Sequence, residues 1–269
     1  MTALTDQNAL NRNRQRHLPE ALFLHRQAIT EVQDRLSMVN RTFRKTAIVS
    51  GFPTIWQAAF ESARLIADHN TLALLPDSCD LVIHAMALHW ADDMVGQLIQ
   101  CRRALTPDGL FLAVCFGGQT LWELRAALTE AEIEIAGGLS PRIAPMAEIR
   151  DLGGLLQRAG FALPVADSTR LTVTYPSARH LMRELRAMGE NNALDSRLRH
   201  PTPAAVLHRA EAIYSASHGR QDGTIAATFE MIYLTGWAPD ASQPKPLRPG
   251  SALTRLSSAL KTPENPLKD

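Results

Sequence analysis

Three cysteines in 269 residues, none in a CxxC spacing, leave no basis for a disulfide-stapled scaffold or a zinc ribbon. Cys79, Cys101 and Cys115 read instead as free buried thiols in a reducing compartment. Aromatic residues make up 6% of the chain and do not interleave with its basic clusters, so a stacking surface for nucleic acid has no support. No apolar run reaches the roughly 18 residues of a membrane span. The first residues lack the charged segment and apolar core of a secretory signal, which predicts a cytoplasmic protein. There is no GxSxG elbow, no P-loop and no H-x-D/E pair, so serine hydrolases, nucleotide triphosphatases and facial-triad iron enzymes all lack their signatures, and no metal ligands are expected. The scarcity with the largest consequence is of glycine in one place. Where a nucleotide-binding domain should carry a glycine-rich loop, the chain has only Ser50-Gly51-Phe52-Pro53-Thr54.

What is present is ordinary for a globular α/β chain: 45% apolar residues, 20% charged and a net charge of +1. Residues 1–45 carry eight Lys/Arg against four Asp/Glu, and residues 241–269 five against two, so basic ends flank an acidic centre. Such a pattern suits an acidic partner or an anionic lipid surface, and equally a plain solvated surface.

Apolar residues recur at helical intervals through 5–42. Short apolar runs at 46–50, 64–67, 80–85 and 110–116 read as strands, the last two apolar on both faces as central parallel strands are. Pro53 suits the first turn of a helix, and Asp92 or Asp93 the N-cap of another that runs to Leu105. Thr106-Pro107-Asp108-Gly109 reads as a turn. Helices are predicted at about 119–136 and 146–159, an extended segment at 161–175, mostly helix at 176–217 and a long strand at 224–237. The organisation expected is an N-terminal helical segment (1–45), a Rossmann-like core (46–175), a helical insertion (176–223), a last core strand (224–239) and an irregular tail (240–269). The fold class is α/β, a doubly wound and mostly parallel sheet shortened in its N-terminal half. Ligands in such sheets sit beyond the C-terminal strand ends, which gathers Gly51–Thr54, Asp68, His84–Trp90 and Phe116–Thr120 around one crevice.

Those residues also carry a resemblance. PDxxDLVxxxxxLHWxxD (76–93), RRxLxPDGLFL (102–112) and FGGxTLxELR (116–125) are similar to class I S-adenosylmethionine-dependent methyltransferases of the BioC-like branch. They most resemble the complex I assembly-factor group, methyltransferase-fold proteins that include a mitochondrial protein-arginine hydroxylase. GGLSPRIAPMAEIRDLGGLLQRAGF (137–161), LMRELRAMGENNA (181–193) and ATFEMIYLTGWAPDASQPKPLRPGSA (227–252) extend the likeness across roughly 10–255. It implies a Rossmann-like fold, S-adenosylmethionine as cofactor and methyl transfer to a small acid or a protein side chain. The alternative it implies is a catalytically degenerate assembly or binding protein for respiratory complex I, or a relative of the arginine hydroxylase. Partners would then include complex I subunits, with peripheral contact to the inner membrane.

The departures fall on the cofactor loop. Gly51 stands alone between bulky neighbours, and Gly51 to Asp80 spans 29 residues where two strand–helix units would take about 55–65. One strand and one helix are missing. The resemblance places cofactor contacts at Ser50, Gly51, Phe52, Asp68, His84, His89 and Trp90. Asp68 fits either the acid that grips the ribose or the later one beside the adenine. His84 and His89 are the candidate catalytic groups, and His84 reads equally as a satisfied core histidine. Trp90 either lines the pocket or packs beneath the next helix. Gly118, Thr120, Tyr175 and Asn191 are candidates on the substrate side, with Glu190 and Asn192 beside them.

Overall fold

The computed structural model describes residues 3–244 and 254–262. The chain divides into two units, 1–239 and 240–269. In the first, β1 (Thr46–Ser50), β2 (Arg64–Ile66), β3 (Cys79–Ala85) and β4 (Leu105–Phe116) run parallel, while β6 (Ile225–Trp237) is antiparallel to β4 and pairs with the edge strand β5 (Ala162–Tyr175). The sheet order is β2-β1-β3-β4-β6-β5. Helices are α1 (Gln7–Gln15), α2 (Phe23–Met38), α3 (Pro53–Ala59), α4 (Met94–Ala104), α5 (Trp122–Ala136), α6 (Ile149–Arg158), α7 (Ala178–Ala187) and α8 (Ala204–His218).

Successive residues of a strand point to opposite faces, and here both faces are buried. Ile48, Ile83, Leu112 and Val114 face a core filled by α2, α5, α7 and α8. Val49, Val82, Phe111 and Ala113 face a second core closed by α4 and α6. Each fully buried Leu, Ile or Phe in these layers contributes about 1.5–3 kcal/mol. The three cysteines are free and buried, and burial pushes the Cys115 thiol up to about 12.

The short spacing between Gly51 and Asp80 has its physical counterpart: no helix or strand lies between Ile66 and Cys79. Elsewhere the structure revises the sequence reading. The helical stretch 5–42 is two helices, interrupted by a short turn at Pro19–Ala21, because Pro19 has no N–H to continue a helical ladder. Thr106–Gly109 lies inside β4 rather than between elements. It forms a bulge between the pairs Cys79↔Leu105 and Leu81↔Leu110, with Asp108 at φ 58°. The insertion 176–223 holds two helices separated by an irregular stretch from 188 to 203. Asp93, not Asp92, caps α4 and accepts from the Gly96 N–H at 2.8 Å. Asp92 instead accepts from the backbone of Leu4 and Thr5, fastening the N-terminal segment beside β3. In the second unit, α9 (Leu256–Leu260) is a single turn of helix. Most of the predicted irregular tail lies outside the described residues. Among those described, no helix is long and apolar enough to cross a membrane.

Candidate functional site

A buried polar cluster begins where β1 ends. The Ser50 hydroxyl accepts from the Phe52 N–H at 3.1 Å and closes the turn that follows the strand. Over that turn lies Arg14, a residue of α1 that is only 5% exposed. A Cβ at position 51 would overlap its guanidinium, so the lone glycine of the loop makes room for this side chain. Arg14 Nη1 donates to Asp68 at 2.9 Å, and the pair lies within 2.8 Å. Asp68 follows β2, the strand beside β1. Gly189, at φ 81°, brings its backbone close to Arg14, and a Cβ there would lie 3.1 Å from the Arg14 Cα. Phe52 packs against His25 with ring centroids 4.5 Å apart, and the Arg14 guanidinium lies 5.6 Å from the Phe52 ring. The loop is thus closed by α1, Phe52 and the segment after α7. Arg14 still has an open edge: its Nε and Nη2 are buried without hydrogen-bond partners.

Toward the end of β3 and past it the buried polar groups continue. His84 Nε2 donates to Gln97 Oε1 at 2.7 Å when Gln97 is oriented as an acceptor, leaving Nδ1 without a partner. Burial lowers the His84 pKa, so the ring stays neutral. His25 is held down to about 3 by the same cause, and its Nδ1 accepts from the Trp56 indole at 3.1 Å. His89 and Trp90 occupy a short turn after β3. The Trp90 indole donates to Glu190 Oε2 at 2.9 Å, and His89 Nε2 lies 3.5 Å from the same oxygen, near enough for electrostatic pairing but outside hydrogen-bond geometry. Burial pushes the Glu190 carboxyl up, but His89, Arg14 and the Trp90 indole outweigh it and the net shift is downward. Glu190 Oε1, like both His89 nitrogens, has no hydrogen-bond partner.

Gly51, Phe52 and Asp68 thus gather around Arg14, His89 and Trp90 meet at Glu190, and His84 lies buried against Gln97, with Ser50 bracing the turn after β1. The substrate candidates divide. Thr120 and Asn191 line a cavity of about 770 Å³, to which Trp90 and Glu190 of the polar cluster also contribute. The Thr120 hydroxyl is held between the Glu230 carbonyl and N–H, both at 3.1 Å. Gly118 lies beneath the Glu148 carboxylate, and Tyr175 packs in the core at the end of β5; neither borders the cavity. Arg14 and His25 were missed by sequence reasoning, since neither follows a strand end and only the chain's return brings them in. Among the described residues, no group of three or more His, Cys, Asp or Glu side chains is placed to hold a metal ion.

Residues 41–113 match the family model described as a methyltransferase domain. The chain therefore contains a methyltransferase-like domain. A curated relative, the mitochondrial arginine-hydroxylase NDUFAF5 of Danio rerio, is 40% identical over 191 residues, which are 70% of this chain and 58% of the relative. A malonyl-[acyl-carrier protein] O-methyltransferase from Halorhodospira halophila is 36% identical over 171 residues, 64% of this chain and 56% of the relative. The chain thus spans somewhat over half the length of these methyltransferase-like relatives. The fold is shared with a candidate methyltransferase from Bacillus halodurans, at a TM-score of 0.52 and 11% identity, covering 79% of this chain and 99% of that one.

Proposed function

We propose that the crevice takes S-adenosylmethionine and that the protein transfers a methyl group to an acceptor in the adjoining cavity. The observation that carries this reading is the open edge of Arg14. A buried guanidinium with Nε and Nη2 unmatched is a fork waiting for a planar anion, and buried donors without partners are uncommon. An amino-acid carboxylate fits that fork. In this reading Asp68, which follows the strand beside β1, accepts from a ribose diol, and its position next to β1 supports the ribose over the adenine assignment. Ser50, Gly51 and Phe52 supply the backbone beneath, and His84 Nδ1 offers an acceptor on the crevice wall. When bound, the cofactor supplies an electrophilic methyl on sulfur. The chain's part is to align the acceptor, exclude water and hold its proton. His89 and Glu190, at the junction of crevice and cavity, are the groups for that proton, with Trp90 fixing the carboxylate. On the acceptor side, Thr120 and Asn191 have the cavity in their support, while Gly118 and Tyr175 stand on the sequence pattern alone.

Calorimetric titration with S-adenosylmethionine and S-adenosylhomocysteine tests the proposal, and a flat response at millimolar ligand would sink it. Asp68→Ala should weaken binding more than His89→Ala does; the opposite order would remove the cofactor assignment.

One observation favours a second reading. Arg14, Phe52 and Gly189 close the glycine loop from above, and a domain kept as an assembly module has no need of an open loop. In this reading the protein binds subunits of respiratory complex I at the inner membrane, in line with its NDUFAF5-named relatives. Deleting the gene should lower assembled complex I, and unchanged levels would count against it.

A further inference from the structure

The cavity beside the crevice is divided by polarity along its depth. Its floor is apolar and buried: Phe116, Leu124, Leu185 and Phe229 are each 9% exposed or less. Its rim is basic. Arg179, Arg183 and Arg186 recur at intervals of four and three on α7, so one face of that helix presents three guanidinium groups to the mouth. Two further lining arginines are already committed, Arg142 to Glu132 at 2.6 Å and Arg197 to Asp6 at 2.8 Å. Arg179 meets Glu211 at 3.4 Å. Among the described residues, no ion pair joins Arg183 or Arg186, both of which are exposed. The one acid in the lining is Glu190 at the inner end, already engaged by the Trp90 indole.

We propose that this cavity binds a single-chain amphiphile with an anionic head, the head at Arg183 and Arg186 and the apolar tail on the floor formed by α5 and β6. A volume of about 770 Å³ lies in the range of small-molecule sites, which are mostly apolar with few polar groups that fix orientation. The charge order sets the direction: a head placed inward would meet Glu190, whereas at the rim it meets two guanidinium groups that form bidentate contacts with carboxylate or phosphate. A simple inorganic anion would leave the floor unfilled, and a neutral tail would leave the rim unanswered. The inference stands whether or not the crevice takes a cofactor.

The test uses the full chain and dansylaminoundecanoate, followed by the rise in dansyl fluorescence below its micellar concentration. Dodecanoate should displace the probe, and dodecanol, with the same tail and no charge, should do so at least tenfold less well. Inorganic phosphate at millimolar concentration should not displace it. R183A/R186A should weaken the probe tenfold or more, whereas the exposed control Arg158→Ala on α6 should leave it unchanged. Leu128→Trp, which fills the floor, should abolish binding with the far-UV circular dichroism retained. If the double variant does not fold, the single exposed change Arg186→Glu gives the same reading. Equal displacement by dodecanoate and dodecanol, displacement by phosphate, an acidic peptide competing as well as dodecanoate, or wild-type affinity in the rim variants would each overturn the proposal. Cofactor titration is a separate signal, so failure here and failure of the methyl-transfer reading are distinguishable.

Discussion

Arg14 reaches Asp68 from a helix with little apolar surface, and its burial depends on Gly51 and Gly189, which have no side chains to push it away. Two opposed effects follow from one substitution. If the open edge of Arg14 holds a carboxylate, Arg14→Ala should weaken S-adenosylmethionine by roughly tenfold or more, since a charged hydrogen bond contributes about 1.5–3 kcal/mol. If Arg14 only closes the loop, the same change should tighten binding, and calorimetry reads the sign directly. Gly51→Ala places a methyl against the guanidinium and should cost about 1–3 kcal/mol in urea unfolding, as overpacked buried sites do. Asp68, His89 and Trp90 were legible as candidates because each follows a strand end, and His84 because it is the next-to-last residue of β3. Arg14 was not, because NRNRQR carries no periodic signal that separates the buried arginine from its exposed neighbours.

At the scale of elements, local chemistry decided most boundaries. Pro53 opens α3 and Asp93 caps α4, as those residue types do wherever orphan N–H groups need them. Asp93→Ala should therefore cost about 1 kcal/mol, a fall of roughly 2–4 °C in Tm for a domain of this size, measured by calorimetry. The missed features are those in which tertiary packing overrides local signals. Thr106-Pro107-Asp108-Gly109 has the composition of a turn, yet pairing on either side keeps it within β4 as a bulge. The helical period continues from α1 into α2 across Pro19, and only the missing N–H marks the break. The lost strand–helix unit before Asp80 was readable because chain length is a hard limit on what a segment can build.

For the molecule as a whole, buried histidines set the acid limit. His25 titrates at about 3 in the folded state against 6.5 for the unfolded chain, so below 6.5 the unfolded state binds a proton that the native state refuses. The stability from this group is complete above about pH 6.5 and is lost as pH falls toward 3. Between pH 7 and pH 5 the loss should be about 2 kcal/mol, seen as a lower urea midpoint. His84, lowered by the same cause, acts in the same direction. His25→Gln keeps an acceptor for the Trp56 indole and should flatten the dependence. The sheet's two borders differ as well. β2 ends the sheet with three residues, while β5 ends it with fourteen, paired on one side only among the described residues. Nearly all the free backbone hydrogen-bonding capacity of the sheet therefore lies along one margin, where an extended segment of another chain would find a ready template. Asp167 and Arg170 interrupt that margin with opposite charges. Replacing both with valine should promote fibrous self-association, read as a rise in thioflavin-T fluorescence.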